Sequence, residues 1–346
     1  MTAYLILENG ITFQGKFFGK PANVTGNVVF ATGMNGHMET ITDPSNLGQI
    51  LVQTFPLIGN SGVISADLES KTIHASAYIV KYLCQEPSNF RSEGDLDTFF
   101  VSKGVTGVEG IDTRALTKII RAHGTIRGKI TTQPPTQADQ DEAMAFTLTN
   151  ATAAVSAKEK SVHGSGTQRV ALLDLGVRQS TINALVAKGC EVHVFPHNAT
   201  AAEIMAVHPH GVVLSTGPGS PLDPSNAPVI DTIKALTNIP IFAIGMGHLL
   251  LAMANGLEVA KMNQCHRGAN QAVRDCNTGK LYITSQNHGY HVIASNPSFV
   301  NVNDNTCEGM DYGLTYSVQF RPDEGPKDTM FLFDNFVERM KAHAAR

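Results

Sequence analysis

Tyr4 to Glu8 is an apolar run that stops at Asn9-Gly10, and a second run begins at Ile11 and continues to Lys16. Short runs split by an Asn-Gly pair predict a strand, a tight turn and a returning strand. Further on, Ala115, Leu116, Ile119 and Ile120 recur at helical spacing behind Asp112 and Thr113, both suited to capping, so a helix is expected over Ile111 to His123. The opening of the chain therefore reads as a mixed α/β domain.

From Arg169 the rhythm changes. Val170 to Leu175, Glu191 to Phe195, Gly211 to Ser215 and Pro240 to Ile244 are short apolar runs with helical patterns between them. Such alternation predicts βαβ units on a mostly parallel sheet. After Gln271 the runs Leu281 to Ser285, Tyr290 to Ala294 and Tyr316 to Phe320 follow one another without helices, which predicts an antiparallel extension. An amphipathic helix from Thr329 to about His343 closes the pattern. Residues 151–168 are rich in Ala, Ser, Thr, Lys and Gly and show no period. They are expected to be a linker between a domain of residues 1–150 and one of residues 169–346.

Length and composition agree with this division. The 346 residues suit two cores, and the 42% apolar content is enough to fill both. A formal net charge of −4 with 16% charged residues and no basic block gives no electrostatic footprint for nucleic acid or a membrane surface. Small molecules or another protein are the expected partners. The five cysteines, Cys84, Cys190, Cys265, Cys276 and Cys307, form no C-x-x-C pair. No metal site and no cofactor are expected. The opening strand has no cationic start, and no apolar run reaches about 18 residues. A cytoplasmic protein without targeting peptide or spanning helix is the expectation.

Several segments taken together resemble a known family. Gly26-Asn27-Val28-Val29-Phe30-Ala31-Thr32-Gly33-Met34-Asn35-Gly36, Thr42-Asp43-Pro44-Ser45, Pro56-Leu57-Ile58-Gly59-Asn60 and Gly110-Ile111-Asp112-Thr113-Arg114-Ala115-Leu116-Thr117 are similar to the N-terminal signatures of the small subunit of carbamoyl phosphate synthetase. In the second half, Asp174-Leu175-Gly176-Val177-Arg178, Ser215-Thr216-Gly217-Pro218-Gly219-Ser220-Pro221 and Asn287-His288-Gly289-Tyr290 resemble class I glutamine amidotransferases. The resemblance covers nearly the whole chain. It implies an α/β protein in which a mixed α/β small-subunit domain precedes a flavodoxin-like amidotransferase domain. The family's subunit frees ammonia from glutamine for a large subunit that makes carbamoyl phosphate, a precursor for pyrimidine and arginine biosynthesis. Substrate-binding positions implied by the resemblance are Ser45, Gly217, Gly219, Met246, Leu249, Asn287, Gly289 and Tyr290.

The catalytic residues are another matter. In the family a sharp turn after the strand ending near Ile244 lifts a cysteine onto a helix N-terminus, where its thiol is exposed and its pKa lowered. Here the segment reads Ala243-Ile244-Gly245-Met246-Gly247-His248-Leu249-Leu250, with Gly245 in the cysteine's place and Leu249 in place of a substrate-binding glutamine. The family's F-H-P-E appears as Phe320-Arg321-Pro322-Asp323-Glu324, so that Arg321 stands where the histidine base belongs. A guanidinium stays protonated and has no acceptor lone pair. Asp323 takes the third triad position, with Glu324 as the other candidate, and the loop Gly325-Pro326-Lys327-Asp328 is shorter than is usual for the family. Loss of one triad member in a hydrolase can cost about a million-fold in rate. The expectation is a pseudoenzyme that serves as a structural or regulatory partner of an ammonia-using large subunit.

Two alternatives stay open. Cys265, in a presumed loop Gln264-Cys265-His266-Arg267-Gly268, is the one candidate for a relocated thiol, with His266 or His288 as base. A paralogue that keeps the fold as a ligand-binding or interaction module is the other. His248 belongs to the family's pattern beside the turn and is expected to be a packed, hydrogen-bonded residue.

Overall fold

The computed structural model describes residues 1–345 and divides into two compact units, Met1–Leu148 and Thr149–Arg346. In the first unit, β1 (Thr2–Leu7), β2 (Thr12–Gly19) and β3 (Val24–Ala31) lead to helix α1 (His37–Thr42). Strand β4 (Gln49–Gln53), a short pair β5 (Leu57–Ile58) and β7 (Tyr82–Leu83), and β6 (Ala77–Val80) follow. Helix α2 (Leu96–Lys103), β8 (Thr106–Glu109), α3 (Thr113–His123), β9 (Ile126–Thr131) and α4 (Gln137–Ala145) complete it. The strands close into a barrel in the order β1-β2-β8-β6-β4-β3-β9, with β9 returning to β1.

Period-two alternation explains the burial. Ile50 and Val52 of β4 and Ala77 and Ile79 of β6 join one core with Leu5, Leu7, Val28 and Leu116. Leu51, Tyr78 and Val80, offset by one, join a second core under α1 and α2 with Met38, Ile41, Leu96 and Phe100. Burial on both faces is why these strands read as continuous apolar runs rather than alternating ones. Helix α3 begins where Asp112 accepts a hydrogen bond from the backbone N–H of Ala115 at 2.9 Å, as an N-cap should.

The second unit opens with α5 (Ala151–Val155) and β10 (Ser161–His163). Residues 151–168, expected to be a linker without elements, thus carry a short helix and a strand, and β10 pairs antiparallel with a strand of the sheet. Both elements are too short, and β10 too exposed, to leave an apolar period. The α/β core follows: β11 (Gln168–Asp174), α6 (Gln179–Ala187), β12 (Cys190–Pro196), α7 (Ala201–Met205), β13 (Gly211–Leu214), α8 (Ala227–Ala235), β14 (Ile241–Ile244) and α9 (Met246–Ala254). A long hairpin, β15 (Glu258–Asp275) and β16 (Leu281–Ile293), then β17 (Phe299–Asn301), β18 (Cys307–Asp311), β19 (Tyr316–Val318) and α10 (Phe331–Ala344) end the chain. The ten strands form one sheet in the order β10-β12-β11-β13-β14-β19-β18-β16-β15-β17, parallel from β12 through β19 and antiparallel beyond.

The antiparallel part differs from expectation at its start. It begins at Glu258 rather than after Gln271, the runs around Leu281 and Tyr290 belong to a single strand, and Gln264 to Gly268 lie within β15 rather than in a loop. Register shifts between Lys261 and His266 and between Gly268 and Gln271 break the alternation of β15, which hides it from a periodic reading. The parallel strands are covered on both faces. Val170 and Leu172 of β11 pack into the core beneath α6 and α10, whereas Ala171 and Leu173 pack beneath α8 and α9. No helix among the described residues is long and apolar enough to cross a membrane.

Candidate active site

Strands β14 and β19 are parallel neighbours, with Ile244 opposite Val318. Their carboxyl ends lie at the rim where ligands bind in open α/β sheets. Gly245 follows β14 directly and caps α9, with φ 58° and ψ −109°. Its N–H donates to the Val318 carbonyl at 2.9 Å, which ties the turn to the strand that runs on to Arg321. A positive φ at this turn strains any residue with a Cβ by on the order of 1–3 kcal/mol, and glycine removes that strain. Space is nearly sufficient for a side chain, because a Cβ at Gly245 would meet Thr216 Cγ2 at 3.2 Å. Gly247 is different: a Cβ there would lie 2.5 Å from the Leu214 carbonyl oxygen, so α9 can approach β13 this closely only with glycine.

The loop Ser215 to Pro221 is held from below. Ser215 Oγ accepts from the Leu175 N–H at 2.9 Å, and Thr216 Oγ1 donates to the Gly176 carbonyl at 3.1 Å. Asp174 Oδ1 accepts from the N–H groups of Gly176 and Val177 at 2.8 and 2.7 Å. Gly217 packs against Leu175, and Gly219 has φ 86°. Hydrogen bonds therefore tie the turn after β11 to the start of the Ser215–Pro221 loop.

Arg321 is buried beside this rim. Its backbone N–H donates to the Ser285 carbonyl at 2.9 Å, and its Nη1 donates to Glu324 Oε2 at 2.9 Å. The same Glu324 oxygen takes Arg178 Nη1 at 2.8 Å. Burial works to raise the Glu324 carboxyl, but Arg178 and then Arg321 outweigh it and bring it down to about 2. Asp323 turns instead to the first turn of α6: its Oδ2 accepts from Ser180 Oγ at 2.6 Å and Thr181 Oγ1 at 3.0 Å and lies 3.5 Å from Arg178 Nη1. The carboxylate that holds Arg321 is thus Glu324, and two guanidiniums face two carboxylates in a charge-balanced cluster. Arg178, Ser180 and Thr181 were not singled out in the sequence, although Arg178 ends the Asp174–Arg178 string.

The remaining candidates are scattered. Met246 and Leu249 are buried, Met246 in the core beneath α8 and α9 and Leu249 in an apolar cluster with Val259, Val292, Cys307 and Met310. Asn287, Gly289 and Tyr290 lie on β16, with Asn287 Oδ1 accepting from Arg267. Ser45 belongs to the first unit, in a one-turn 3-10 helix where its hydroxyl donates to Asp43 Oδ1 at 2.7 Å. His248 is fully buried with Nδ1 2.8 Å from Ser317 Oγ, and burial pushes it down to about 3.

Cys265 sits across the hairpin from Gly289, where a Cβ would come within 2.9 Å of its Sγ. Both imidazoles proposed as its base are engaged elsewhere. His266 faces Glu308 Oε1 at 3.0 Å and Asp304 Oδ2 at 2.8 Å, and His288 faces the Tyr290 carbonyl at 3.0 Å and Gln286 Oε1 at 3.3 Å. The sequence reading missed Glu308 and Asp304 because they lie on distant strands and turns, without local ligand spacing.

Residues 5–130 match the family "Carbamoyl-phosphate synthase small chain, CPSase domain", and residues 171–339 match "Glutamine amidotransferase class-I". A carbamoyl phosphate synthase small chain of Clostridium perfringens is 44% identical over 98% of this chain and 99% of the relative. The chain belongs to the carbamoyl phosphate synthase small-chain family. A small chain of Streptococcus pneumoniae is 42% identical over 97% of both chains, and a pyrimidine-specific small chain of Halalkalibacterium halodurans is 40% identical over 100% of this chain and 99% of the relative. A solved glutamine amidotransferase of Thermotoga maritima covers 53% of this chain at 15% identity with a TM-score of 0.39. Between them the two family models cover most of the chain, the small-chain domain first and the amidotransferase domain second.

Proposed function

We propose that this small chain has lost glutaminase activity and acts as a structural or regulatory partner of a synthetase large subunit that uses free ammonia. The observation that carries the reading is the pair at the ends of β14 and β19: a residue without a side chain at the turn, and a guanidinium committed to Glu324 at the base position. Amide hydrolysis by the acyl-enzyme route needs an attacking atom on the protein and an acceptor for its proton. Gly245 offers no attacking atom, and Arg321 cannot accept the proton. Asn287, Gly289, Tyr290, Gly217 and Gly219 are the positions at which a small ligand such as glutamine would still be held.

The large-subunit partner follows from family membership, and carbamoyl phosphate made by the pair would feed pyrimidine or arginine synthesis. Five free cysteines suit a reducing cytoplasm. Co-purification of the tagged chain with its large subunit, followed by carbamoyl phosphate synthesis from ammonium chloride, tests the partner role. Failure of the two chains to co-purify would contradict it.

The position of Cys265 opposite Gly289 favours a second reading, a relocated thiol hydrolase. Its weakness is that the nitrogens of His266 and His288 already face oxygen atoms of other groups.

A further inference from the structure

His266 on β15, His288 on β16 and Glu308 on β18 bring one ligand atom each into a group no wider than 4.8 Å, and all three are buried. The hydrogen-bond partner of His288 fixes its Nδ1 proton. His288 Nδ1 lies 3.0 Å from the Tyr290 carbonyl, which can only accept, so Nδ1 carries the proton and Nε2 presents its lone pair. That lone pair faces Glu308 Oε1 at 3.5 Å and Gln286 Oε1 at 3.3 Å. Gln286 is oriented in turn, for its amide nitrogen donates to Thr284 Oγ1 at 3.1 Å, whose own proton goes to the Gln271 carbonyl at 2.9 Å. His266 places Nε2 2.8 Å from Asp304 Oδ2 and Nδ1 3.0 Å from Glu308 Oε1, with the Asn301 amide at 3.3 Å; with Nε2–H given to Asp304, Nδ1 is the nitrogen that a ligand would take.

Two ring nitrogens and a carboxylate therefore converge in a buried enclosure. Both rings face Glu308 Oε1, and His288 Nε2 also faces Gln286 Oε1. Glu308 Oε2 has no hydrogen-bond partner among the described residues and no exposure, a costly state for a carboxylate oxygen. A cation answers both needs. We propose that His266, His288 and Glu308 bind a divalent metal ion of the zinc class, independently of any glutaminase chemistry. Bonds of about 2.0–2.2 Å place tetrahedral ligand atoms about 3.4 Å apart, close to the 3.0 and 3.5 Å edges from Glu308 to the two rings. Nitrogen-rich ligation selects zinc, cobalt or nickel over magnesium and calcium. Asp304 on His266 and the Tyr290 carbonyl on His288 are the outer partners that metal-bound histidines ordinarily have. Three protein ligands hold the ion across β15, β16 and β18, so it would fasten the hairpin that carries Asn287, Gly289 and Tyr290.

The test uses the full-length chain, stripped with a chelator and titrated with Co²⁺ and Zn²⁺ separately. One Co²⁺ per chain with visible d–d bands of low-coordinate nitrogen ligation, displaced by Zn²⁺, is the expected result. Glu308→Gln and His266→Ala, checked for folding by circular dichroism, lose the bands, and Asp304→Asn weakens binding about 10–100-fold. His163→Ala, outside the cluster, leaves them unchanged. Should the cluster variants fail to fold, protection of the wild-type thiol Cys265 from alkylation by bound Zn²⁺ supplies the second readout. Folded wild-type chain that binds no stoichiometric Co²⁺ or Zn²⁺, or binds it equally well in the Glu308→Gln variant, overturns the proposal.

Discussion

Arg321 Nη1 and Glu324 Oε2 lie 2.9 Å apart, and Arg178 shares the same carboxylate oxygen. The Arg321 guanidinium is a cation whose partner is already in place. The cluster keeps the loop after β19 docked on α6.

That role can be measured. Glu324→Gln leaves two buried guanidiniums facing one carboxylate fewer and should destabilise the second unit by about 2 kcal/mol, below the range for fully buried pairs because Glu324 is partly exposed. The shift of the urea midpoint at neutral pH reads it. A shift below about 0.5 kcal/mol would show that the cluster is energetically idle.

The same carboxylate gives a pH dependence. Its folded pKa is lowered from 4.5 to about 2, so in that window the unfolded chain binds more protons. Its contribution is fully present above pH 4.5 and is lost as pH falls toward 2. Wild type should therefore lose more stability than Glu324→Gln between pH 5 and pH 3, as followed by denaturant melts; parallel curves would contradict the assignment.

Glycines at the turn separate strain from packing. Gly247→Ala puts a Cβ 2.5 Å from the Leu214 carbonyl and should cost at least about 2 kcal/mol, whereas Gly94→Ala, with nothing within 4 Å of the added atom, should stay within about 0.5 kcal/mol. Comparison of their melting temperatures checks the packing of α9 on β13.

Restoring the thiol alone should not restore chemistry. The Cβ of Gly245→Cys would come nearest the Thr216 methyl, at 3.2 Å, and the variant should fold at a cost of about 1–3 kcal/mol, set by its positive φ. Ammonia release from glutamine should remain at background, because Arg321 still cannot accept a proton. Addition of Arg321→His should raise release at least tenfold over the single variant. Turnover by Gly245→Cys alone would refute the role given to Arg321.

Much of this was readable in the residues. The parallel strands β11 to β14 are apolar on both faces and bounded by turns, so Val170, Val192, Val212 and Ile241 announced them. The reading of positions 245 and 321 rests on their flanking strings along the chain. The long β15 could not, since its register shifts and many polar residues between Lys261 and Gln271 break the period. The grouping of His266, His288 and Glu308 arises only when three strands are laid side by side, and the pairing of Arg321 with Glu324 rather than Asp323 depends on how the chain turns after Pro322. Neither is a matter of spacing along the sequence.

The most direct measurement is ammonia release from L-glutamine by the wild-type chain bound to its large subunit, with mass spectrometry of the quenched chain for a covalent γ-glutamyl adduct. The account predicts release indistinguishable from the no-enzyme control, no adduct, and no change with Cys265→Ser. Sustained glutamine turnover, or an adduct on any side chain, would contradict it.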